Sequence, residues 1–595
     1  MPREGGASSK LRQTNFEDRR LLDRPHARAM TKKERAEEAL PVISGKRAFL
    51  EILKQEGVEV LFGNPGTTEL PLMDAFAVEN DMRYVLGLQE AVVMAMADGY
   101  AQASGKLAVV NLHVTPGLGN AMGMLYDAQK AGSPILVTAG QHDQEFNRTE
   151  PILYADLPPI ARPLVKWSDE VHRLEDLPLM VHRACKTAMA PPTGPVFLAL
   201  PGDILKNEAD IDLMAPTRVA SGIRGDRAAI EAAAKVLASA KRPIIMAGDS
   251  VAQTRALAEL VALAELIGAP VYAELIANTA SFPSSHPLFR GAMSRSQSAM
   301  RKIFDQHDVL FSVGADLFAL SLPEAVSPVS SDLKIIQLDT DPWELGKNFP
   351  AEVAILGSPK ATLPELTDAV RAAMPALAQS AAKDRLKAAG DANRADLEKL
   401  RARAKSLANE TPVQALALIH AIGEILPKDT VVIDESVSSS GGLRQLVKSD
   451  DAQSFFGLRG GGIGWGLPAS IGVKIALPDR PVICLSGDGS AMYTIQSLWT
   501  AARYKVGVVF VIFNNTSYRI LKQRVFAQRG YAAQLDKYVG MELNNPEIDF
   551  VGLARSLGVP AERARTVHDA TDLIAKGLAG AGPMLVEVEL AREFK

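Results

Sequence analysis

Residues 480–518 read RPVICLSGDGSAMYTIQSLWTAARYKVGVVFVIFNNTSY. The apolar run Pro481–Ser486 has the length of a buried strand and stops at Gly487-Asp488-Gly489, where a helix begins. A second apolar run, Val508–Phe513, ends at Asn514-Asn515. Strand, helix, strand in this order gives two parallel strands side by side, with both functional turns at their carboxyl ends. Glycine lets the main chain approach an anion closely, and a helix N-terminus offers free N–H groups and a favourable dipole. Asp488 and the side-chain oxygen of Asn515 then stand at neighbouring strand ends, within reach of one cation, and the carbonyl of Ser517 is the natural third protein ligand. Mg2+ accepts such oxygens together with phosphate oxygens. Any strand–turn–helix can carry GDG and any loop can carry NN, so the spacing between them carries the argument. Nucleotide-binding alternatives fail: no G-x-x-x-x-G-K-[ST] occurs, and RGGGIGWG at 459–466 does not fit G-x-G-x-x-G.

Outward from this stretch, β-rich runs alternate with helical ones from Gly45 onward. That predicts α/β architecture with parallel sheets: three consecutive doubly wound domains. The first is expected over 42–213, the second over 220–375, a helical linker over 376–410 and the third over 411–595. Residues 1–41 read as a disordered arm, with Met30 as a candidate initiator. Strands are expected at Tyr84–Leu88, Leu107–Leu112, Ile135–Thr138 and Val196–Ala199, then at Pro243–Ala247, Val309–Val313 and Lys334–Leu338, and finally at Thr430–Ile433 and Met584–Val588.

A chain of 595 residues is too long for one core. Apolar residues at 47% and charged residues at 23% are those of a globular protein. The net charge of −4 leaves no basic footprint for nucleic acid or a membrane surface. No apolar stretch is long enough to span a bilayer, and the N-terminal residues lack the apolar segment of a secretory signal. The 2 cysteines, Cys185 and Cys484, lack metal-ligand spacing and cannot build a disulfide framework, which suits the cytoplasm.

The 480–518 stretch resembles the diphosphate-binding signature of the thiamine diphosphate enzymes. The likeness extends along the chain from about residue 42 and is strongest to the benzoylformate decarboxylases. It is carried by GNPGTTELP, LQEAVVMAMADGYAQASGK, NLHVTPGLGNAMG, RPLVKWS, HPLFRG and GDGSAMYTIQSLWTAA, which fall in all three blocks. The resemblance implies a pyrimidine-binding, a central and a diphosphate-binding domain, with thiamine diphosphate and Mg2+ as cofactors. It makes Glu90 the acid that hydrogen-bonds the aminopyrimidine; read alone, Glu90 is also a helix N-terminal acid favoured by the dipole. It makes Ile463 the apolar wedge beneath the cofactor. Pro65, Gly66, Asn120, Ser438, Gly462, Gly487, Gly489, Ser490 and Tyr518 become cofactor contacts beside Asp488, Asn515 and Ser517.

The same resemblance implies that His113 and His286 transfer protons, work for which a near-neutral pKa suits histidine. Each alone reads more readily as a structural or surface histidine. Thr67 matches a serine that meets the substrate carboxylate, and is also a plausible helix cap. Leu153 and Leu521 match apolar positions of the substrate pocket. Arg519, Ile520, Arg524 and Val437 depart from the family pattern. An arginine at the pocket would suit a second carboxylate or a phosphate; solvent-facing arginines are the alternative.

The expected activity is decarboxylation of a small 2-oxo acid to an aldehyde and carbon dioxide. Acetolactate synthase-like carboligation and a non-catalytic homologue are the alternatives, and an acyl-CoA lyase fits less well. Family likeness further implies a homodimer or homotetramer with its sites at subunit interfaces.

Overall fold

A computed structural model describes residues 42–276, 278–320 and 324–594. The expectation of a disordered arm falls on residues 1–41, outside that range. The described residues form three six-stranded sheets and a two-stranded antiparallel clasp, Val42–Ser44 on Glu208–Asp210. All strand pairs within the three large sheets are parallel.

The first sheet runs, edge to edge, through Arg83–Leu86, Val60–Gly63, Ala108–Leu112, Ile135–Gln141, Val196–Pro201 and Ser168–Glu170. The third runs through Phe455–Gly457, Val431–Glu435, Val482–Gly487, Val508–Asn514, Met584–Glu589 and Ala561–Ala564. Numbered within each sheet, both follow the order 2-1-3-4-6-5. The central sheet follows 3-2-1-4-5-6, with Pro243–Ala247 beside Val309–Val313 at the point where the order reverses. Inner strands such as Ile135–Gln141 and Val508–Asn514 are buried at every residue, since helices cover both faces. Their sequences are therefore continuous apolar runs rather than alternating ones.

The helix Ala376–Ser406 joins the central and third domains and buries only Ala382 and Ala404. The first and third domains, distant in sequence, share one apolar core built from Val92–Ala97 and Leu467–Val473. Here the helix Glu90–Ser104 lies antiparallel on Gly466–Ala476: Gly99 meets Ala469, and Gly472 meets Met96. A Cβ at either glycine would collide with the facing main chain, so the backbones touch directly.

The third domain also docks onto the reversal point of the central sheet. Arg459 pairs there with Glu274 at 2.7 Å, Asp316 at 3.1 Å and Asp249 at 3.4 Å. Burial, above all, pushes the Glu274 carboxyl up to about 8, against the pull of Arg459. A cavity of about 720 Å³ opens beside this cluster. Asp488 is not among the residues that line it.

Candidate active site

Register places the two functional turns of the third domain together. Ser486 pairs with Ile512 and Gly487 with Phe513, so Asp488 emerges beside Asn514 and Asn515. Asp488 is buried. Its Oδ1 accepts the Gly489 N–H at 2.8 Å, and Oδ2 accepts those of Asn515 and Ser517, each at 3.2 Å. Burial nevertheless pushes its pKa up to about 6, against the pull of these main-chain donors. The Asn515 amide oxygen accepts the Ser517 hydroxyl at 2.8 Å, which fixes the orientation of the amide. Gly487 has room for a Cβ, which would meet the Glu435 carbonyl oxygen and Ser490 Oγ at an ordinary contact distance of 3.9 Å. Gly489 has no such room, because Tyr518 lies against it. Ser490 is buried in the same short helix, Asp488–Ala491.

Among the described residues no group of three or more His, Cys, Asp and Glu could hold a metal ion. The donors at this turn are instead one carboxylate, one amide oxygen and main-chain carbonyls. That set fits a hard cation whose remaining ligands are phosphate oxygens and water. It would leave a cation alone poorly held.

Two carboxylates that sequence reading missed hold the glycine-rich turn at 460–464. Asp127 accepts the Gly462 N–H at 2.9 Å. Glu435 accepts the N–H groups of Gly464 at 2.5 Å, Trp465 at 3.2 Å and Gly466 at 2.7 Å. Burial pushes Asp127 up to about 8 and Glu435 up to about 7. Half-buried Ile463 is carried on this turn. Ser438 lies in the 3-10 turn Val437–Ser439 and accepts from Arg519 Nε at 3.2 Å.

In the first domain Glu90 heads its helix, and the preceding Gln89 side chain caps it by accepting the Ala91 and Val92 N–H groups. The buried Glu90 carboxylate accepts from Asn64 at 3.2 Å and from Asn120 at 3.0 Å. Asn120 thus sits on the acid itself. His113 ends the strand Ala108–Leu112, and its Nδ1 lies 2.9 Å from Glu69 Oε2. Pro65 and Gly66 lead into the same corner, where a Cβ on Gly66 would strike the His113 ring. Exposed Thr67 opens the 3-10 turn Thr67–Glu69, but the N-cap positions there belong to Gly66 and Glu69. The helix-cap expectation for Thr67 is therefore wrong. Half-buried Leu153 holds the left-handed backbone (φ 75°), and its carbonyl accepts the Thr115 hydroxyl at 2.6 Å.

His286 is not brought to this site. Its Nε2 lies 3.2 Å from Glu265, its Nδ1 accepts the Leu288 N–H at 3.2 Å, and its ring stands edge-on to Phe282. The loop that carries it leads into the strand Phe289–Ala292, which places it at the N-terminal edge of the central sheet. Functional turns in parallel sheets lie at the other edge. Within one chain both ring nitrogens of His286 are engaged by these contacts.

Arg519 is also corrected. It neither faces solvent nor offers a free anion handle, because it is buried and donates to Ser438, to Ser439 at 2.5 Å and to the Ala591 carbonyl at 3.2 Å. Arg524 differs. It stands one turn beyond Leu521, is half-buried, and lies close enough to Arg295 for the two positive charges to oppose each other.

Within one chain the two halves of the site are far apart. The Tyr504 hydroxyl accepts the Leu86 N–H at 3.0 Å, and Thr500 donates to the Leu86 carbonyl at 2.9 Å. Tyr504 precedes the strand Val508–Asn514, so the Glu90 edge of the first sheet faces the N-terminal edge of the third. Asp488 and Asn515 lie at the opposite edge, a strand length of roughly 20 Å away.

Comparison with known proteins assigns the class. Residues 43–155 match the N-terminal TPP-binding domain of the thiamine pyrophosphate enzymes, 230–366 their central domain, and 438–588 their C-terminal TPP-binding domain. The chain belongs to this family and is a thiamine diphosphate-dependent enzyme. Benzoylformate decarboxylase of Pseudomonas aeruginosa is 33% identical over 91% of this chain and 98% of its own length. An acetolactate synthase of Mycobacterium bovis is 28% identical over 91% of this chain and 87% of its own. Among solved structures, a thiamine diphosphate-dependent 4-hydroxybenzoylformate decarboxylase of Rhodococcus jostii superposes with a TM-score of 0.80. It is 31% identical over 93% of this chain and 100% of that one. Benzoylformate decarboxylase of Polynucleobacter necessarius gives a TM-score of 0.82 at 28% identity, over 93% of this chain and 99% of that one. No helix among the described residues is long and apolar enough to cross a membrane.

Proposed function

We propose that the protein is a thiamine diphosphate- and Mg2+-dependent decarboxylase of a small 2-oxo acid, releasing an aldehyde and carbon dioxide. The observation that carries this reading is the pair of strand-end clusters: an oxygen set at Asp488 and Asn515 suited to a diphosphate-bound cation, and a buried acid, Glu90, next to a histidine, His113. The cofactor supplies the electron sink that decarboxylation needs. Asp488, the Asn515 amide and the Ser517 carbonyl hold the metal, while Gly487 and Ser490 meet the diphosphate and Gly489 makes room for the Tyr518 ring. Ile463 supports the cofactor from its turn. Glu90 hydrogen-bonds the aminopyrimidine and sets its protonation. Thr67 presents its hydroxyl to the substrate carboxylate, His113 moves a proton at the reacting carbon, and Leu153 and Leu521 line the pocket.

Because Glu90 and Asp488 lie a strand length apart in one chain, we infer that one cofactor is held by the first domain of one subunit and the third domain of a second. The assembly is then at least a two-fold dimer, and dimers pair into tetramers in this reading. Acetolactate synthase relatives keep carboligation as the second reading. The deciding experiment supplies thiamine diphosphate and Mg2+ and screens aryl, branched and dicarboxylic 2-oxo acids, together with pyruvate. Aldehyde and carbon dioxide in equal amounts are expected. Acyloin as the main product from pyruvate would replace decarboxylation with carboligation.

A further inference from the structure

Glu69 is the most completely engaged carboxylate of the first domain. Its side chain is fully buried, yet no lysine or arginine pairs with it among the described residues. Instead Oε2 accepts the Gly66 N–H at 2.9 Å, and Oε1 accepts the Gly140 N–H at 2.9 Å and the Thr68 hydroxyl at 2.6 Å. The fourth contact is His113 Nδ1, at 2.9 Å. A carboxylate taking three donors is an acceptor, so the nitrogen facing it must carry a proton. The surroundings are shaped for this contact. A Cβ on Gly140 would occupy the place of Oε1, and one on Gly66 the place of the imidazole.

We propose that Glu69 is the positioning residue for His113, holding the neutral imidazole as its Nδ1–H tautomer so that Nε2 faces the substrate. The proposal rests on the reading of His113 as a proton-transfer group. The Glu69 carboxylate does not reach the substrate. It acts by fixing which nitrogen is free and where the ring points, as outer carboxylates do for histidines elsewhere. Two other titratable groups face the pair. The Tyr84 phenol lies on the neighbouring strand, where burial and then the negative charge of Glu69 keep it protonated. Glu90 lies across Gly117, whose built Cβ would sit 3.2 Å from the Glu90 carboxylate and 3.3 Å from His113 Cβ.

Two measurements on the cofactor-loaded enzyme test this. The first compares Glu69→Gln, His113→Ala and the double variant on a substrate that the wild type turns over. Glu69→Gln is expected to lower kcat by about 10- to 100-fold with KM changed less than about twofold, less than the roughly 10²- to 10⁴-fold loss of an acid–base group itself, because the imidazole remains. The double variant should be no slower than His113→Ala alone, since residues acting through one another are not additive. An equal loss from Glu69→Gln in the His113→Ala background, or no loss in either, overturns the proposal. The second measurement is 15N NMR of histidine-labelled wild type, with the His113 signal assigned by its loss in His113→Ala. An Nδ1–H tautomer is expected, and an Nε2–H tautomer overturns the proposal whatever the activity. If His113→Ala keeps full activity while the tautomer is as expected, the reading of His113 has failed and the geometry has not.

Discussion

The first and third sheets have the same strand order, yet they put different chemistry at the same place. In both, the carboxyl ends of the inner strands carry the candidate residues. In the third domain those ends finish in Gly487-Asp488-Gly489 and Asn514-Asn515, turns rich in hard oxygens. In the first they finish in Asn64-Pro65-Gly66 and His113, with buried Glu69 and Glu90 behind them. In the proposed reading, one sheet edge holds an anion and its cation, and the other moves protons. The shared scaffold fixes where side chains emerge, and loop composition alone decides what they do.

The largest expected effects separate these two roles. Asp488→Ala should abolish retention of thiamine diphosphate, measured by calorimetry with Mg2+ present. Glu90→Gln should bind the cofactor yet lose turnover by more than about 100-fold. Equal cofactor affinity in Asp488→Ala and wild type would erase the distinction between the edges. A mixture of the two inactive variants, allowed to exchange subunits, should then regain part of the wild-type rate, because one site of the mixed dimer carries neither defect. No recovery after exchange confirmed by native mass spectrometry would place both edges on one cofactor within a single chain.

His113→Ala should lower kcat by about 10²- to 10⁴-fold, whereas His286→Ala should stay within about tenfold of wild type, since only the former stands at a functional edge. A large kcat loss at His286 with unchanged melting would return that residue to the site. Where the domains meet, Gly99→Val should cost about 1–3 kcal/mol by forcing a side chain into the Ala469 main chain, read as a lower denaturation midpoint.

The last expected effect is a pH slope. Asp127 and Glu435, raised by burial to about 8 and about 7, hold protons in the native state that the unfolded chain releases near pH 4. Stability from these groups is therefore present at low pH and lost as pH rises through the window from about 4 to 8. Thermal midpoints should decline across that window, and less so in Asp127→Asn. A decline of equal steepness in the variant would remove Asp127 from the account.

Much of this was legible in the chain. Apolar runs of strand length ending in glycine, acid or amide gave the third-domain site, because strand end and function coincide there within a few residues. The helix start at Glu90 was equally local. What escaped depended on contacts between distant segments. Glu69 sits three residues after Gly66, a helix-start pattern, and only the fold shows His113 on the other side of it. Asp127 and Glu435 look like ordinary helix and strand acids until the glycine-rich turn closes over them. His286 lies on a loop that enters a strand instead of leaving one, a difference of direction that its local sequence does not carry. Arg519 misled because a charged residue after a functional turn invites a solvent or ligand role, and here it fastens the C-terminal segment.

The crossing of Gly99 and Gly472 has a mechanical consequence. At these two glycines main chain meets main chain, so no side chain there can change rotamer and absorb a displacement. The first and third domains of one chain must then travel together as a single stiff block. Any breathing that admits a substrate or lets a product go is left to the seams around that block, where it meets a second subunit or the central domain.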